Sequence, residues 1–106
     1  MVEVRYDRRA CTLSVCGHAG AAPHGEDLVC AAASILGFTA VSCAEEHRES
    51  YLPSALAKDG EIRISCRPTT RHRAEKCREM RDVIFTGFEI LEKKYPDYVR
   101  TEREDQ

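Results

Sequence analysis

The sequence predicts a single α+β domain, a two-layer sandwich with two helices packed on a small, mostly antiparallel sheet. Apolar and polar residues alternate in two pairs of short segments, as expected for two β-hairpins. A long helical pattern follows each pair, which gives the order β-β-α-β-β-α. The 106 residues fit one domain with one core, and a partner subunit would help to bury its surface.

The first hairpin is predicted on either side of the polar turn at residues 7–9. Apolar side chains alternate with polar ones in both flanking segments: Val2, Val4 and Tyr6 before the turn, and Cys11, Leu13 and Val15 after it. A period of two is that of a strand with one buried face. The Gly-rich segment that follows, residues 20–25, is predicted to be a flexible loop.

The second half repeats the pattern. Residues 28–44 are rich in alanine and lack proline, which favours a helix, with Asp27 as its N-cap. Asp59-Gly60 predicts a hairpin turn between strands at 51–58 and 61–66, and Pro53 places the first of these at a sheet edge. The second helix is predicted over 71–95, with a core-facing stripe of Cys77, Met80, Ile84, Phe88, Leu91 and Tyr95. The domain is expected to span 1–99, and the polar tail 100–106 to fray.

Charge and composition exclude several classes of function. The net charge is −2 without a clustered basic surface, so direct nucleic-acid binding is not expected. The N-terminal residues lack the apolar segment of a signal peptide, and no apolar run is expected to be long enough to cross a bilayer. We therefore expect a cytoplasmic location and no membrane contact.

Six cysteines are many for this length. Without a secretion signal a disulfide framework is disfavoured, and the absence of CxxC disfavours a zinc or redox site. We expect no metal and no cofactor, and most of the thiols to be small buried side chains.

Cys30 occupies a different kind of position. With Asp27 as N-cap it is expected at N3, where backbone N–H groups lack helical partners and the helix dipole is positive. Both effects favour a nucleophilic thiolate and an oxyanion site. His18 ends the preceding strand across the loop, and is the candidate base.

The residues alone leave alternatives open. Cys30 taken alone is better explained as a core thiol, and His18 taken alone could cap the strand end. His24 is either a solvated loop residue or a rival base. Ser34 lies one turn beyond Cys30 and binds the dyad, a substrate or only its own helix backbone. Strict strand alternation also points His18 away from the helices, unless a bulge at Gly17 turns it back.

The segment Gly17-His18-Ala19, followed by Gly25, Asp27, Val29-Cys30-Ala31-Ala32 and Ser34, resembles the signature of the ribosomal-processing cysteine proteases, Prp. The family pattern is GHA, a short loop, then G-x-D-[IL]-V-C-A-A-x-S. A long helix that runs into Tyr95-Pro96-Asp97-Tyr98-Val99 is also similar to the family's ending. Leu28 stands where isoleucine is common, which is a conservative change.

The resemblance implies a homodimeric α+β endopeptidase. Its substrate would be the precursor of a large-subunit ribosomal protein, number twenty-seven of that subunit, from which it removes an N-terminal extension. Cys30 would be the nucleophile and His18 the base, with Asp27, Ser34 and Gly17 in support. The loop containing Ala19, Gly20 and Gly25 would order around the substrate peptide.

Two other classes of function remain as alternatives. One is a non-catalytic ribosome-associated binding module, which the acidic balance and the lack of a basic aromatic surface weaken. The other is a thiol redox or metal-binding protein, which the missing CxxC weakens.

Overall fold

The computed structural model describes residues 1–17, 24–46, 51–58, 61–68 and 70–104, with the backbone alone for 24–27, 51–58 and 66–68. Its elements are β1 (Val2–Asp7), β2 (Thr12–Cys16), α1 (His24–Glu46), β3 (Tyr51–Lys58), β4 (Glu61–Pro68), α2 (Arg71–Lys94) and β5 (Val99–Glu104). The predicted α+β sandwich is confirmed, and β5 is added to the predicted order.

The sheet has five strands in the order β3-β4-β2-β1-β5. The hairpins β1–β2 and β3–β4 and the junction β2–β4 are antiparallel, while β1–β5 is parallel. Strand β3 lies at one edge, as Pro53 predicts. Lys58 pairs with Glu61, so the hairpin at Asp59-Gly60 is confirmed by its flanks, although the turn itself lies outside the described residues.

The expected frayed tail is wrong for residues 100–104. Together with Val99 they form β5, which pairs with β1 from Val2↔Val99 to Asp7↔Glu104. Val99 is buried while Arg100, Glu102, Arg103 and Glu104 are exposed. Charged side chains suit an edge strand, since they discourage pairing with other chains. Because these side chains are polar, the hydrophobic pattern of the sequence does not predict the strand.

One face of the sheet forms the core. Alternate residues of the strands are buried in one cluster with both helices: Val2, Val4, Tyr6, Leu13, Val15, Ile64 and Val99. The intervening residues face the other side, where Glu3, Arg5 and Arg63 are exposed. The helices therefore cover one face of the sheet and leave the other open, which is the predicted two-layer arrangement.

Helix α2 begins after Thr70, whose hydroxyl accepts a hydrogen bond from the Arg73 N–H at 3.2 Å, and it ends before Pro96. The predicted stripe is buried at Cys77, Ile84, Phe88 and Leu91, with Met80 and Tyr95 half-buried. A Cβ added to Gly87 would lie 2.7 Å from Leu36 Cδ2 of α1. The absence of a side chain at Gly87 thus lets the helices approach closely.

Helix α1 differs from expectation in its hydropathy. By length and composition, Leu28–Glu46 is apolar enough to cross a membrane, because residues 28–44 carry no charge. The expectation that no apolar run reaches this length is therefore wrong. Its inner side, which includes Val29, Ala33, Ala40 and Ala44, belongs to the same core cluster as the strands. The outer side of α1 remains exposed.

A polar network fastens the first hairpin to α2. The Tyr6 hydroxyl lies 2.8 Å from Asp82 Oδ1 and 3.1 Å from the Arg78 carbonyl oxygen. Arg8 Nε donates to both carboxylate oxygens of Asp82 at 3.1 and 3.2 Å, and Arg78 Nε donates to the Arg8 carbonyl oxygen at 2.9 Å. Burial, followed by the hydrogen bond and negative charge of Asp82, raises the pKa of Tyr6.

We expect Tyr6→Phe to lower the free energy of unfolding at neutral pH by about 1–3 kcal/mol, because it leaves polar partners unsatisfied. The raised pKa means that folding favours the neutral phenol. Its contribution is complete below the ordinary value of 10.0 and is lost as the pH rises above it. Chemical denaturation between pH 8 and 11 should therefore give a steeper alkaline loss for the natural protein than for Tyr6→Phe. Tyr98→Phe, at a half-buried tyrosine, is the control and should lose stability at alkaline pH as steeply as the natural protein. Equal slopes for the natural protein and Tyr6→Phe would contradict the assignment of this loss to Tyr6.

Candidate active site

Cys30 is a free, half-buried thiol on α1. Val29, the preceding residue, is completely buried, while Ala31 is exposed. Cys30 therefore lies where the helix passes from the core to solvent. Gly37, two turns later on the same side of α1, approaches Ile62 of β4, whereas Leu36 approaches α2. By this spacing, Cys30 lies on a different side of α1 from the one that contacts α2.

The predicted N3 position of Cys30 is wrong. Helix α1 begins at His24, so Cys30 is its seventh residue and Asp27 its fourth. In a helix with these bounds, the N–H of residue 30 is paired with the carbonyl of residue 26. Acidic residues are favourable throughout the first helical turn, so Asp27 does not mark the N-cap as the sequence reading assumed.

The earlier start of α1 changes the electrostatic argument. The unpaired N–H groups belong to the first turn, residues 24–27, and the dipole effect falls off within that turn. The helix N-terminus is therefore a weaker source of thiolate stabilisation than predicted, and the predicted oxyanion donors are not beside Cys30. Activation of the Cys30 thiol therefore depends more on a neighbouring base than the sequence predicted.

Ser34 is exposed and lies one turn after Cys30. Asp27 lies one turn before Cys30 in the same helix, so the backbone positions of the three residues follow one edge of α1. Gly25 and His24 are predicted in the flexible loop, but both belong to the first turn of α1. The loop is correspondingly shorter than expected.

His18, Ala19 and Gly20 lie outside the described residues, so the proposed dyad contact remains a prediction. Val15 of β2 and Val29 of α1 both belong to the domain core, three residues before His18 and one before Cys30.

Gly17 removes the objection based on strand alternation. Leu13 and Val15 are buried and Cys16 is exposed, as alternation requires, but β2 ends at Cys16. Gly17 has φ +103°, a conformation that L side chains rarely adopt. Because the extended backbone stops there, the alternation does not determine the direction of His18.

We expect Gly17→Ala to destabilise the protein by about 1–3 kcal/mol, since its backbone conformation favours glycine. A Cβ at this position would also overlap the carbonyl oxygen of Met1. Thermal and chemical denaturation measure the effect. The matched control is Cys16→Ala at the neighbouring exposed position, which should change stability by less than about 0.5 kcal/mol; equal stability of the two variants would show that the conformation of Gly17 is unimportant.

The other cysteines have different environments. Cys11 is buried, and burial raises the pKa of its thiol, an effect that the charges of Arg78, Arg81 and Arg8 partly offset. Cys16 is exposed and Cys43 half-buried, and both are free. Cys77 is disulfide-bonded, so the structure holds one disulfide where no framework of several was expected. Among the described residues, no three His, Cys, Asp or Glu side chains are grouped to hold a metal.

Two shallow cavities of about 390 and 410 Å³ occupy the open face of the sheet. Arg5, Ser14 and Arg63 line both. No residue of α1 contributes to either, so these cavities are separate from the surroundings of Cys30.

Solved structures share this fold. Two of them are structures of the ribosomal processing protease Prp from S. aureus. The one with a covalently linked product peptide has a TM-score of 0.76 at 23% identity, and the one with a substrate peptide has a TM-score of 0.77 at 20% identity. Each comparison covers 98% of this chain and 100% of the other. SMU.848 from Streptococcus mutans has a TM-score of 0.70 at 21% identity, covering 99% of this chain and 93% of the other. A comparison with curated proteins found no match.

The sequence also matches a family directly. The family model of the cysteine protease Prp matches residues 1–100, which include Cys30 and every element up to the start of β5. The match therefore covers almost the whole chain, and the enzyme class follows from it. This chain belongs to the Prp family of cysteine proteases.

Proposed function

We propose that the protein is an endopeptidase that removes the N-terminal extension from the precursor of large-subunit ribosomal protein number twenty-seven. The observation that carries the proposal is the family match around a free, accessible Cys30. The structurally similar S. aureus protein is a ribosomal processing protease that has been solved with substrate and product peptides. We propose a cytoplasmic location, because ribosomal precursors are made there.

The proposed reaction uses a Cys30/His18 dyad. His18 accepts the proton of the Cys30 thiol as Sγ attacks the scissile carbonyl carbon. The tetrahedral intermediate collapses, the C–N bond breaks, and His18 returns the proton to the departing amine. Water, deprotonated by His18, then attacks the thioester, which releases the carboxylate product and regenerates the thiol.

Supporting roles follow from position. Asp27 and Ser34 lie one turn before and after Cys30, where we propose that they orient His18 or bind the peptide. Gly17 precedes His18, and its positive φ ends the extended backbone, so we propose that His18 does not follow the alternation of β2. Ala19, Gly20 and Gly25 are the proposed substrate-binding segment. We also propose that the protein acts as a homodimer.

The test is cleavage of a precursor protein that carries the extension, followed by mass spectrometry of the products. The natural protein should release one N-terminal peptide, and should leave a precursor with a reversed junction intact. His18→Ala should abolish cleavage, whereas His72→Ala, at an exposed position of α2, should have no effect. An intact precursor after incubation with the natural protein would refute the substrate, and full activity of His18→Ala would refute the base.

A further inference from the structure

A shallow groove runs along β2 on the open face of the sheet, and we call it the β2 groove. Its floor is formed by small side chains at every second position of the strand: Thr12, Ser14 and Cys16. Longer, charged side chains of the two neighbouring strands form its walls: Glu3, Arg5 and Asp7 of β1, and Glu61 and Arg63 of β4. The two shallow cavities of the open face share Arg5, Ser14 and Arg63, so they meet in the middle of this groove.

The β2 groove has the dimensions of a short extended polypeptide segment. Its walls belong to strands that lie two strand spacings apart, about 9.6 Å. One cavity extends from the shared middle to Asp7 and Thr12, and the other extends to Glu3, Cys16 and Glu61. The groove therefore follows β2 for three rows of side chains, roughly 13 Å, which is the length of about five residues of extended chain.

Two arginines flank the middle of the β2 groove. Arg5 and Arg63 both pair with Ser14 in the strand register, from opposite sides. Both arginines are exposed, and within the described residues no hydrogen bond or ion pair engages Arg63. Arg5 Nε lies 3.6 Å from Glu102 Oε2, but both of these side chains are more than half exposed, and such a pair contributes little. The middle of the groove thus offers two guanidinium groups beside a hydroxyl.

Carboxylates occupy both ends of the β2 groove. Glu3 and Glu61 pair with Cys16 from opposite sides, so two carboxylates flank one end. Asp7 pairs with Thr12 at the other end. Along the groove the sign of the charge is therefore negative, positive and negative, and it changes with every second residue of the strands.

This order of charges differs from that of an ordinary solvated sheet face. Opposite charges on neighbouring strands stabilise a sheet, and like charges directly opposite each other destabilise it. In the β2 groove, like charges flank a small neutral residue in the same row, as Arg5 and Arg63 flank Ser14. An opposite charge from a ligand fits between them. The groove is therefore complementary to a ligand whose own charges alternate along its length.

We propose that the β2 groove binds an extended segment of a partner protein with a basic, an acidic and a basic residue at alternate positions. Side chains two residues apart in an extended chain point to the same side and lie roughly 6.6 Å apart, which is the spacing of the rows in the groove. The acidic side chain lies between Arg5 and Arg63, because guanidinium groups bind carboxylates through paired N–H groups. The two basic side chains lie beside the carboxylates at the ends.

Other ligands match the order of charges less well. A nucleic acid carries a phosphate at every nucleotide, so its backbone would meet the carboxylates at both ends of the groove. A uniformly basic segment would place a cation between Arg5 and Arg63. A protein segment of mixed charge avoids both conflicts, and electrostatic complementarity of this kind determines the specificity of a contact.

The β2 groove is separate from the candidate active site. It lies on the face of the sheet that the helices leave open, whereas Cys30 belongs to α1 on the covered face. Binding in the groove therefore does not depend on the proposed proteolysis, and either can fail without the other.

The test is fluorescence anisotropy of the labelled peptide Ser-Lys-Ser-Glu-Ser-Lys-Ser, titrated with the full-length protein at low salt. The natural protein should bind it at least about tenfold more tightly than the isomer Ser-Lys-Ser-Lys-Ser-Glu-Ser, which has the same composition in a different order. Arg63→Glu should weaken binding of the first peptide at least about tenfold. Lys76→Glu, at an exposed position of α2, is the matched control, because it changes the net charge equally and should bind as the natural protein does.

An exchange of charges makes the test specific to the groove. In the peptide Ser-Lys-Ser-Lys-Ser-Lys-Ser the central residue is basic and matches the glutamate of Arg63→Glu. This variant should therefore bind the three-lysine peptide more tightly than the natural protein does, which reverses their order for the first peptide. Circular dichroism checks the folding of each variant, which is expected because Arg63 is exposed.

Four results would overturn the proposal. Equal binding of the two isomers would mean that the order of charges has no effect, and unchanged binding by Arg63→Glu would mean that the peptide binds elsewhere. Tighter binding of a short RNA oligonucleotide that is lost in Arg63→Glu would assign the groove to a polyanion. A lower mass of Arg63→Glu in sedimentation velocity would show that a second copy of the chain covers this face.

Discussion

Cys30→Ala should abolish precursor cleavage, with a fall in rate of at least about 10⁴-fold. Alanine removes the atom that forms the acyl-enzyme in the proposed reaction, and it is tolerated structurally because Cys30 is half-buried in an alanine-rich helix. The loss should appear in kcat, since peptide binding does not require Sγ. Single-turnover cleavage followed by mass spectrometry gives the rate for each protein. With the natural protein it would also detect the thioester on Cys30.

The matched control is Cys16→Ala. Cys16 is also a free thiol and is more exposed than Cys30, so a general need for thiols would affect both variants. We expect Cys16→Ala to cleave at the natural rate. Residual activity of Cys30→Ala within about tenfold of the natural protein would exclude Cys30 as the nucleophile.

The largest effect on stability is expected for Phe88→Ala, a loss of about 3–5 kcal/mol. Phe88 is completely buried in the layer between α2 and the sheet, and it belongs to a cluster with residues of β1, β2, β4, β5 and both helices. Truncation leaves a cavity that the surrounding elements cannot close, since the strands are held by their own ladder. Chemical denaturation at neutral pH measures the loss.

Glu89→Ala is the control at the next residue. Glu89 is exposed, so its truncation should change stability by less than about 0.5 kcal/mol. Because a typical domain is stable by about 5–15 kcal/mol, Phe88→Ala should remove a large share of the total stability. A loss below about 1 kcal/mol would mean that the core is packed differently.

The sequence predicted the parts of the fold that follow from periodicity. Val2, Val4 and Tyr6 identify β1 because alternation has a simple physical cause, one face in the core and one in water. The core-facing stripe of α2 was predicted for the same reason, because one side of a helix packs in the core, here with a period of about 3.6 residues. Strand β5 was missed because it pairs by backbone hydrogen bonds at an edge and needs few apolar side chains.

The candidate site was predicted less completely. Cys30 and Ser34 are located on α1 as expected, but the helix begins before Asp27. Capping residues and first-turn residues share the same preference for carboxylates, so sequence alone does not separate them. Arg81, which is buried in α2, was also missed, because arginine is normally assigned to the surface.

The pairing of β1 with β5 joins the two ends of the chain. Val2 lies beside Val99, so the final pairs of the sheet form between residues almost the full length apart in sequence. Contacts of such high sequence separation are slow to form, because the long segment between the partners must first be brought into place. We therefore expect β5 to join the sheet after the two hairpins have formed, so that the docking of one strand completes the fold.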